Sequence, residues 1–268
     1  MFSLVVTRPW TGRRQCCLST PETIRGHRTP VNAHNAGMAY QCEAKNEAAF
    51  VQQLVRYANA GYRFYVVGII GDRKPAEHVD ARLIEKFAID KSSQARSRAK
   101  QRGEANVQYI RLGCLWVMLA TEGKHRFFED NRSQSGDKQW HDLRANALRV
   151  GPYAISSKLD GGWKKEATKL RRYRTRVTLT REAYKELVAF YEDKAVHWSR
   201  ENLEARFEAL GQQYLAYRPV REQLIQLVKR VNRKRKLSGY ERIPYACLKM
   251  PSCVRTIKVF KEQNKKGK

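Results

Sequence analysis

Of 268 residues, 53 are Lys or Arg and 26 are Asp or Glu, a formal charge of +27. A folded chain repels itself at such charge, so a polyanionic partner is expected, nucleic acid ahead of an anionic membrane surface. Hydrophobic residues make up 42%, enough for a core and against wholesale disorder, and no apolar run reaches the ~20 residues that span a bilayer.

Residues 1–37 carry five Arg and one Glu. This stretch reads as a mitochondrial-type transit peptide, as a flexible basic arm, or as sequence upstream of a start at Met38; Phe2 to Val6 has the makings of an edge strand. Asn46 to Asn59 is a helix with Ala49, Phe50, Leu54 and Tyr57 on one face and Gly61 past its end. Tyr62 to Ile70 is an apolar strand with both faces expected to be buried. A helix follows from His78 to Ala88, with Val79, Leu83, Ile84 and Phe87 at helical spacing. After the turn at Ile89-Asp90-Lys91, Ser92 caps another helix that ends near Arg102, with Gly103 as its stop. Val107 to Thr121 is a strand that Gly113 breaks into a hairpin or a bulge. Glu129 to Lys138 is a polar loop, Tyr153 to Lys158 a short strand, Asp160-Gly161-Gly162 a turn and Arg174 to Leu179 a further strand.

From Thr180 the pattern turns helical. Thr180 caps Arg181 to Lys194, Ser199 caps Arg200 to Leu210 with Gly211 as its stop, and Pro219 suits the first turn of a helix reaching about Lys236. Val220, Leu224, Leu227, Val228 and Val231 form the last helix's apolar stripe. Val254 to Phe260 is expected as a final strand, and Glu262 to Lys268 as a basic tail. The fold class is α+β. A mixed α/β domain over 38–179 carries a mostly antiparallel sheet with helices on one side, with ferredoxin-like as the candidate topology. A helical basic region covers 180–241, and a strand and tail cover 242–268. Cys16, Cys17, Cys42, Cys114, Cys247 and Cys253 show no CxxC spacing, which fits a reducing intracellular compartment: cytoplasm or nucleoid, or an organelle if the first 37 residues are a transit peptide.

Residues 161–268 carry 28 basic and 11 acidic residues, and three runs concentrate the charge. The first, KSSQARSRAKQR, places Lys91, Arg96, Arg98, Lys100 and Arg102 around a narrow Ala95/Ala99 packing face; helix, turn and basic helix also have helix-turn-helix spacing. The second, WKKEATKLRRYRTR, interleaves Trp163 and Tyr173 with Lys164, Lys165, Lys169, Arg171, Arg172, Arg174 and Arg176. Rings that stack on unpaired bases among cations that hold phosphate suit single-stranded or looped targets. The third, KRVNRKRK, supplies Lys229, Arg230, Arg233, Lys234, Arg235 and Lys236, more cations than a helix dipole accounts for.

Chemistry on such a polymer would need clustered carboxylates, a His base or a covalent Tyr. Asp72 follows the first strand, with Glu77 and Asp80 close behind. Glu122, His125, Glu129 and Asp130 follow the later strand in TEGKHRFFED. If the two strands lie side by side so that these groups meet, they would form a Mg²⁺ or Mn²⁺ nuclease site; binding alone would require no cofactor. The strand, helical excursion, strand and Tyr-bearing helices resemble the ferredoxin-like cores of rolling-circle replication initiators and small single-strand transposases. Those families use a His-hydrophobic-His strand motif and a nucleophilic Tyr. Here His125 stands alone before Arg126 and Phe127, and Tyr184, Tyr191, Tyr214 and Tyr217 offer several nucleophiles without singling one out. The expectation is a nucleic-acid-binding protein of structured RNA or of single-stranded or irregular DNA, in a ribonucleoprotein or mobile-element complex. The alternative is a metal-dependent nuclease, transposase or replication-initiation enzyme.

Overall fold

The computed structural model describes residues 40–72, 74–131, 139–159 and 173–261. Helix α1 (Glu47–Asn59) starts where Asn46 Oδ1 accepts the Ala49 amide at 2.9 Å, and it buries Ala49, Phe50, Val51 and Leu54. There follow β1 (Phe64–Ile69), α2 (Ala76–Lys86), α3 (Ser93–Gln101), β2 (Val107–Leu112), β3 (Leu115–Ala120), the short α4 (Arg126–Asp130) and β4 (His141–Asp142). These strands form an antiparallel sheet in the order β2-β3-β1-β4. The β2–β3 hairpin turns at Gly113, whose φ of 58° lies in the left-handed region that glycine adopts without strain.

Side chains alternate across this sheet. Ile110, Val117 and Leu119 face α1, whereas Val107, Tyr109, Met118 and Ala120 face Phe87 and Phe127, at the ends of α2 and α4. Helices therefore cover both faces, not the single face expected, because β2 and β3 bury side chains on both sides, Gln108 and Arg111 of β2 included. The opposite holds for β1. Its Val67 is 40% and its Ile69 76% exposed, since β4 pairs only with Phe64 and Tyr65 and leaves the second half of β1 as an outer edge among the described residues.

A second antiparallel sheet, β5-β6-β7, comprises β5 (Leu148–Val150), β6 (Tyr153–Leu159) and β7 (Tyr173–Leu179). The Leu143 carbonyl, just past β4, accepts the Ser157 amide of β6 at 2.8 Å and joins the two sheets. Helices α5 (Arg181–Lys194), α6 (Arg200–Gln213) and α7 (Arg218–Leu237) complete seven α-helices among the described residues. The Thr180 and Ser199 hydroxyls cap α5 and α6. These helices share one continuous apolar core with α1 and the inner faces of both sheets.

Gly211 does not stop α6. It lies buried within the helix, where an added Cβ would sit 3.3 Å from Met250 Cγ and 3.4 Å from the Lys249 amide, so its smallness serves close packing. The strand expected over Val254 to Phe260 is also absent: only Phe260 bridges, to Ala44. Side-chain amides hold the extended chain instead. Gln52 donates to the Arg255 carbonyl at 2.8 Å and accepts the Ile257 amide at 3.4 Å. Asn232 does the same for both backbone groups of Ile243 at 2.8 Å, and Gln223 for those of Leu179 on β7 at 2.7 and 3.4 Å. One donor and one acceptor per side chain reproduce what a neighbouring strand would offer. Among the described residues no helix is long and apolar enough to cross a membrane.

Candidate nucleic-acid interface

The acidic groups do not assemble. Strand β1 runs antiparallel to β3, with Phe64 opposite Ala120 and Ile69 opposite Leu115. Asp72 therefore leaves one end of the sheet, while Glu122, His125, Glu129 and Asp130 leave the other, about 17 Å away at ~3.4 Å per residue. The two strands do pair side by side as expected, but they run antiparallel, so the groups that follow them leave opposite ends of the sheet. No group of three or more His, Cys, Asp or Glu side chains suited to a metal occurs among the described residues.

Glu122, His125, Asp130 and Asp80 are engaged locally. Glu122 pairs with Arg63. Asp130 lies 2.9 Å from both Lys86 and Arg126, and the hydrogen bond from Lys86 leads in holding its carboxyl below the usual range. His125 Nδ1 accepts the Phe127 amide at 3.0 Å and caps α4, and its ring stacks on Phe87. Burial, then the charge of Lys91, lowers its pKa. Its Nδ1 is thus engaged in the cap of α4. Glu129 is exposed, and it lines with Glu122, Lys124, His125, Phe64, Phe128 and Trp140 a depression of about 410 Å³. Asp80 is buried against Arg111 and Tyr109.

The three basic runs fare differently. On α3, Ala99 is buried and Ala95 half-buried, as their spacing implied. Ser92 caps the helix, Arg96 Nη1 donates to the Lys91 carbonyl at 2.7 Å, and Arg102 forks onto Glu104 at 2.8 and 3.0 Å. Arg98 and Lys100 are exposed with no ion pair among the described residues, and Lys91 is half-buried. Of the second run, Trp163, Lys164, Lys165, Lys169, Arg171 and Arg172 lie outside the described residues. The remainder sits on β7, where Lys158 faces Arg174, Ser156 faces Arg176, and Arg149 joins them through Ala154 and Thr178. Facing residues share a side of the sheet, so Arg149, Lys158, Arg174 and Arg176 occupy the face turned away from Ile155, Val177 and Leu179. Tyr173 is on the other side, 40% exposed, with Arg144 over its ring at 5.6 Å.

On α7, Lys229, Arg233 and Lys236 are exposed with no ion pair among the described residues. Arg230 reaches Glu192 at 2.7 Å, and Lys234 Nζ donates to the Glu192 carbonyl at 2.7 Å. Arg235, expected as a phosphate ligand, is only 2% exposed. Its Nε donates to the Glu241 carbonyl at 2.6 Å and its Nη1 to the carbonyls of Ala195 and Trp198 at 2.8 and 3.1 Å. The correction was within reach of the sequence, because Val228, Val231 and Arg235 continue the buried stripe at helical spacing.

Comparison with protein-family models, curated proteins and solved structures finds no match for this chain.

The second run's strand borders the first turns of α7, and the third run begins seven residues beyond Glu222 on the same helix, ~10 Å along its axis. Gln223 on α7 binds the edge of β7, and Glu222 lies 4.0 Å from Arg176. The first run stands apart: α3 is tied through the Arg96 carbonyl to Asn106, beside β2, the opposite edge of the first sheet from β4 and its link to β6. Among the described residues, the first run does not join the other two in one groove. Sequence reasoning missed Arg149 and Lys158, whose signal was strand alternation opposite Arg174 and Arg176. It also missed the exposed rings of Tyr240 and Tyr245 (48% and 51%), which follow the third run directly.

Proposed function

We propose that this chain binds nucleic acid, structured RNA or single-stranded or irregular DNA, within a ribonucleoprotein or mobile-element complex. The adjoining surfaces of β7 and α7 are the contact region, and α3 supplies a second, separate contact to phosphate. One observation carries the reading: α7 presents Lys229, Arg233 and Lys236 to solvent with no ion pair among the described residues, on the helix whose first turns border β7 and its Arg176. The nearby acids Glu192, Glu222 and Glu241 already hold Arg230, Arg218 and Arg200. A helix dipole favours one or two cations in its last turn, and a surface shaped for solubility alone mixes both signs.

The test is affinity for single-stranded and duplex probes across a salt series. Six to ten phosphate contacts give a log–log slope of about −5 to −9 on duplex DNA and about −4 to −7 on single strands. A slope near zero overturns the reading. A parallel incubation with Mg²⁺ or Mn²⁺ addresses the enzymatic alternative. Cleavage that disappears in Asp72→Ala while binding persists would reinstate it, although no observation of the site geometry favours it.

A further inference from the structure

Helix α7 ends in a Schellman motif. The Tyr240 amide donates to the Arg235 carbonyl at 2.8 Å and the Gly239 amide to the Lys236 carbonyl at 3.2 Å, with Gly239 at φ 76°. This motif places residue 240 back over residue 235, and an apolar contact commonly fills that position. Here the contact is a cation on a ring: the Arg235 guanidinium carbon lies 5.4 Å from the Tyr240 ring centroid. Arg235 is itself immobilised by three backbone carbonyls, and one of these belongs to Glu241, whose carboxylate pairs with Arg200. The turn bearing Tyr240 is therefore tied from both sides.

Tyr240 as a residue is 48% exposed although a fixed guanidinium covers one face of its ring, which points to the other face as the one open to solvent. Nothing in the packing of the core requires an aromatic there, because Tyr240 lies outside both apolar clusters. Around it the surface is cationic: Arg233 and Lys236 on the preceding turn and Arg242 just after are all exposed. Aromatic faces among cations bind unpaired bases by stacking, while the cations hold the flanking phosphates. A duplex offers no free base face, so this arrangement selects single strands, loops or ends.

We infer that Tyr240 is a stacking platform for an unpaired base of the bound strand, pre-oriented from beneath by Arg235. The inference rests on the proposed nucleic-acid binding and names the element of that surface which distinguishes unpaired from paired polymer. A ring already fixed before binding loses little freedom on contact, so its stacking energy appears almost fully as affinity.

The experiment uses the full chain with labelled oligo-uridine, oligo-thymidine and a duplex of the same length, comparing the unaltered protein with Tyr240→Ala and Tyr240→Phe. Tyr240→Ala is expected to weaken single-strand binding about 5- to 150-fold, the range for losing one stacked base, and to leave duplex binding within about twofold. Tyr240→Phe keeps the ring and is expected to bind like the unaltered chain, which separates stacking from loss of the hydroxyl. Thermal unfolding of both variants accompanies the titrations. A larger effect on oligo-uridine than on oligo-thymidine assigns the platform to RNA, and the reverse assigns it to DNA. If the unaltered chain binds none of the probes, the proposed function fails and the platform with it. Strong binding by the unaltered chain together with an unchanged Tyr240→Ala, or an equal loss on strand and duplex, overturns the platform alone.

Discussion

Asp80 and Arg111 are locked together beneath the first sheet: Arg111 Nε lies 3.1 Å from one carboxylate oxygen of Asp80 and 3.0 Å from the other, with both side chains under a tenth exposed. The Tyr109 hydroxyl donates to the same carboxylate at 2.5 Å and the Cys42 thiol at 3.4 Å. Arg111 also reaches Glu43 at 3.2 Å and the Gly113 carbonyl at 3.0 Å. The network ties α2, β2 and the segment before α1 into one unit. Despite the burial of Arg111, the charges of Asp80 and Glu43 hold its pKa above the usual value.

Removing one partner strands the other as a buried charge, at a cost of about 3–5 kcal/mol. Asp80→Ala is expected to lower stability by that amount in urea unfolding. Asp72→Ala, on an exposed loop, is expected to change it by less than about 0.5 kcal/mol. A cost below about 1 kcal/mol for Asp80→Ala would show that the network bears little of the fold.

Gly68 faces Trp116 across β1 and β3, and a Cβ at Gly68 would lie 2.2 Å from the indole ring. The bare backbone is what lets that ring lie flat over the neighbouring strand. Gly68→Val is expected to cost about 1–3 kcal/mol as the ring is pushed aside. Combining it with Trp116→Leu should give a smaller loss than the two single costs added together, since the clash disappears. Strict additivity in denaturation would contradict the packing described.

What the sequence made legible was chiefly local. The starts at Ser92, Thr180 and Ser199 were readable because a cap is chemistry between residues three apart, and Gly113 because only one backbone region suits its turn. Strands β4 and β5, two and three residues long, carry no periodicity to detect. The final segment was expected as a strand because its apolar content matches one, yet it is held by the Gln52 side chain and, at Val259, by the Lys45 amide, both more than 200 residues away in sequence. The acidic site failed at strand direction: β1 and β3 are neighbours, but proximity of Asp72 to Glu122 depended on whether they run parallel or antiparallel, which no local pattern encodes. Arg235 was misassigned because the third run was weighed by composition and not by helical phase.

Several groups make the fold sensitive to alkali. Burial, reinforced by the Asp80 carboxylate, pushes the Cys42 thiol up to about 12. Burial, with Glu204 next, pushes Cys247 up to about 11, and burial also raises Tyr191 and Tyr217 to about 12. In the unfolded chain these groups ionise at about 8.5 for Cys and 10 for Tyr, so above those values the unfolded state binds fewer protons than the folded one. Stability is therefore complete below about pH 8 and falls as pH rises toward 12, with each group adding at most ~1.4 kcal/mol per pH unit. Urea midpoints should drop between pH 8 and 10.5. An unchanged midpoint over that interval would contradict the burial of these groups. At pH 8 the exposed Cys253 should react with a thiol reagent well before Cys42 and the buried Cys247.

Arg233 and Arg235 lie two residues apart on α7 and point to different surroundings, so their substitutions should separate. Arg233 is exposed with no ion pair among the described residues. Arg233→Ala should leave stability within about 0.5 kcal/mol and make the salt slope of binding shallower by ~0.7–0.9, the contribution of one phosphate contact. Arg235→Ala leaves the carbonyls of Ala195, Trp198 and Glu241 without their donor and should cost about 3 kcal/mol or more in unfolding. Arg235→Lys should recover only part of this, because a single ammonium cannot match the forked geometry of a guanidinium. Binding measured well below the unfolding midpoint should show a salt slope for Arg235→Ala equal to that of the unaltered chain, since this cation never meets phosphate. If both substitutions shifted the slope equally and neither moved the unfolding curve, the third run would act as an undivided patch of charge, and helical phase would have no bearing on how it works.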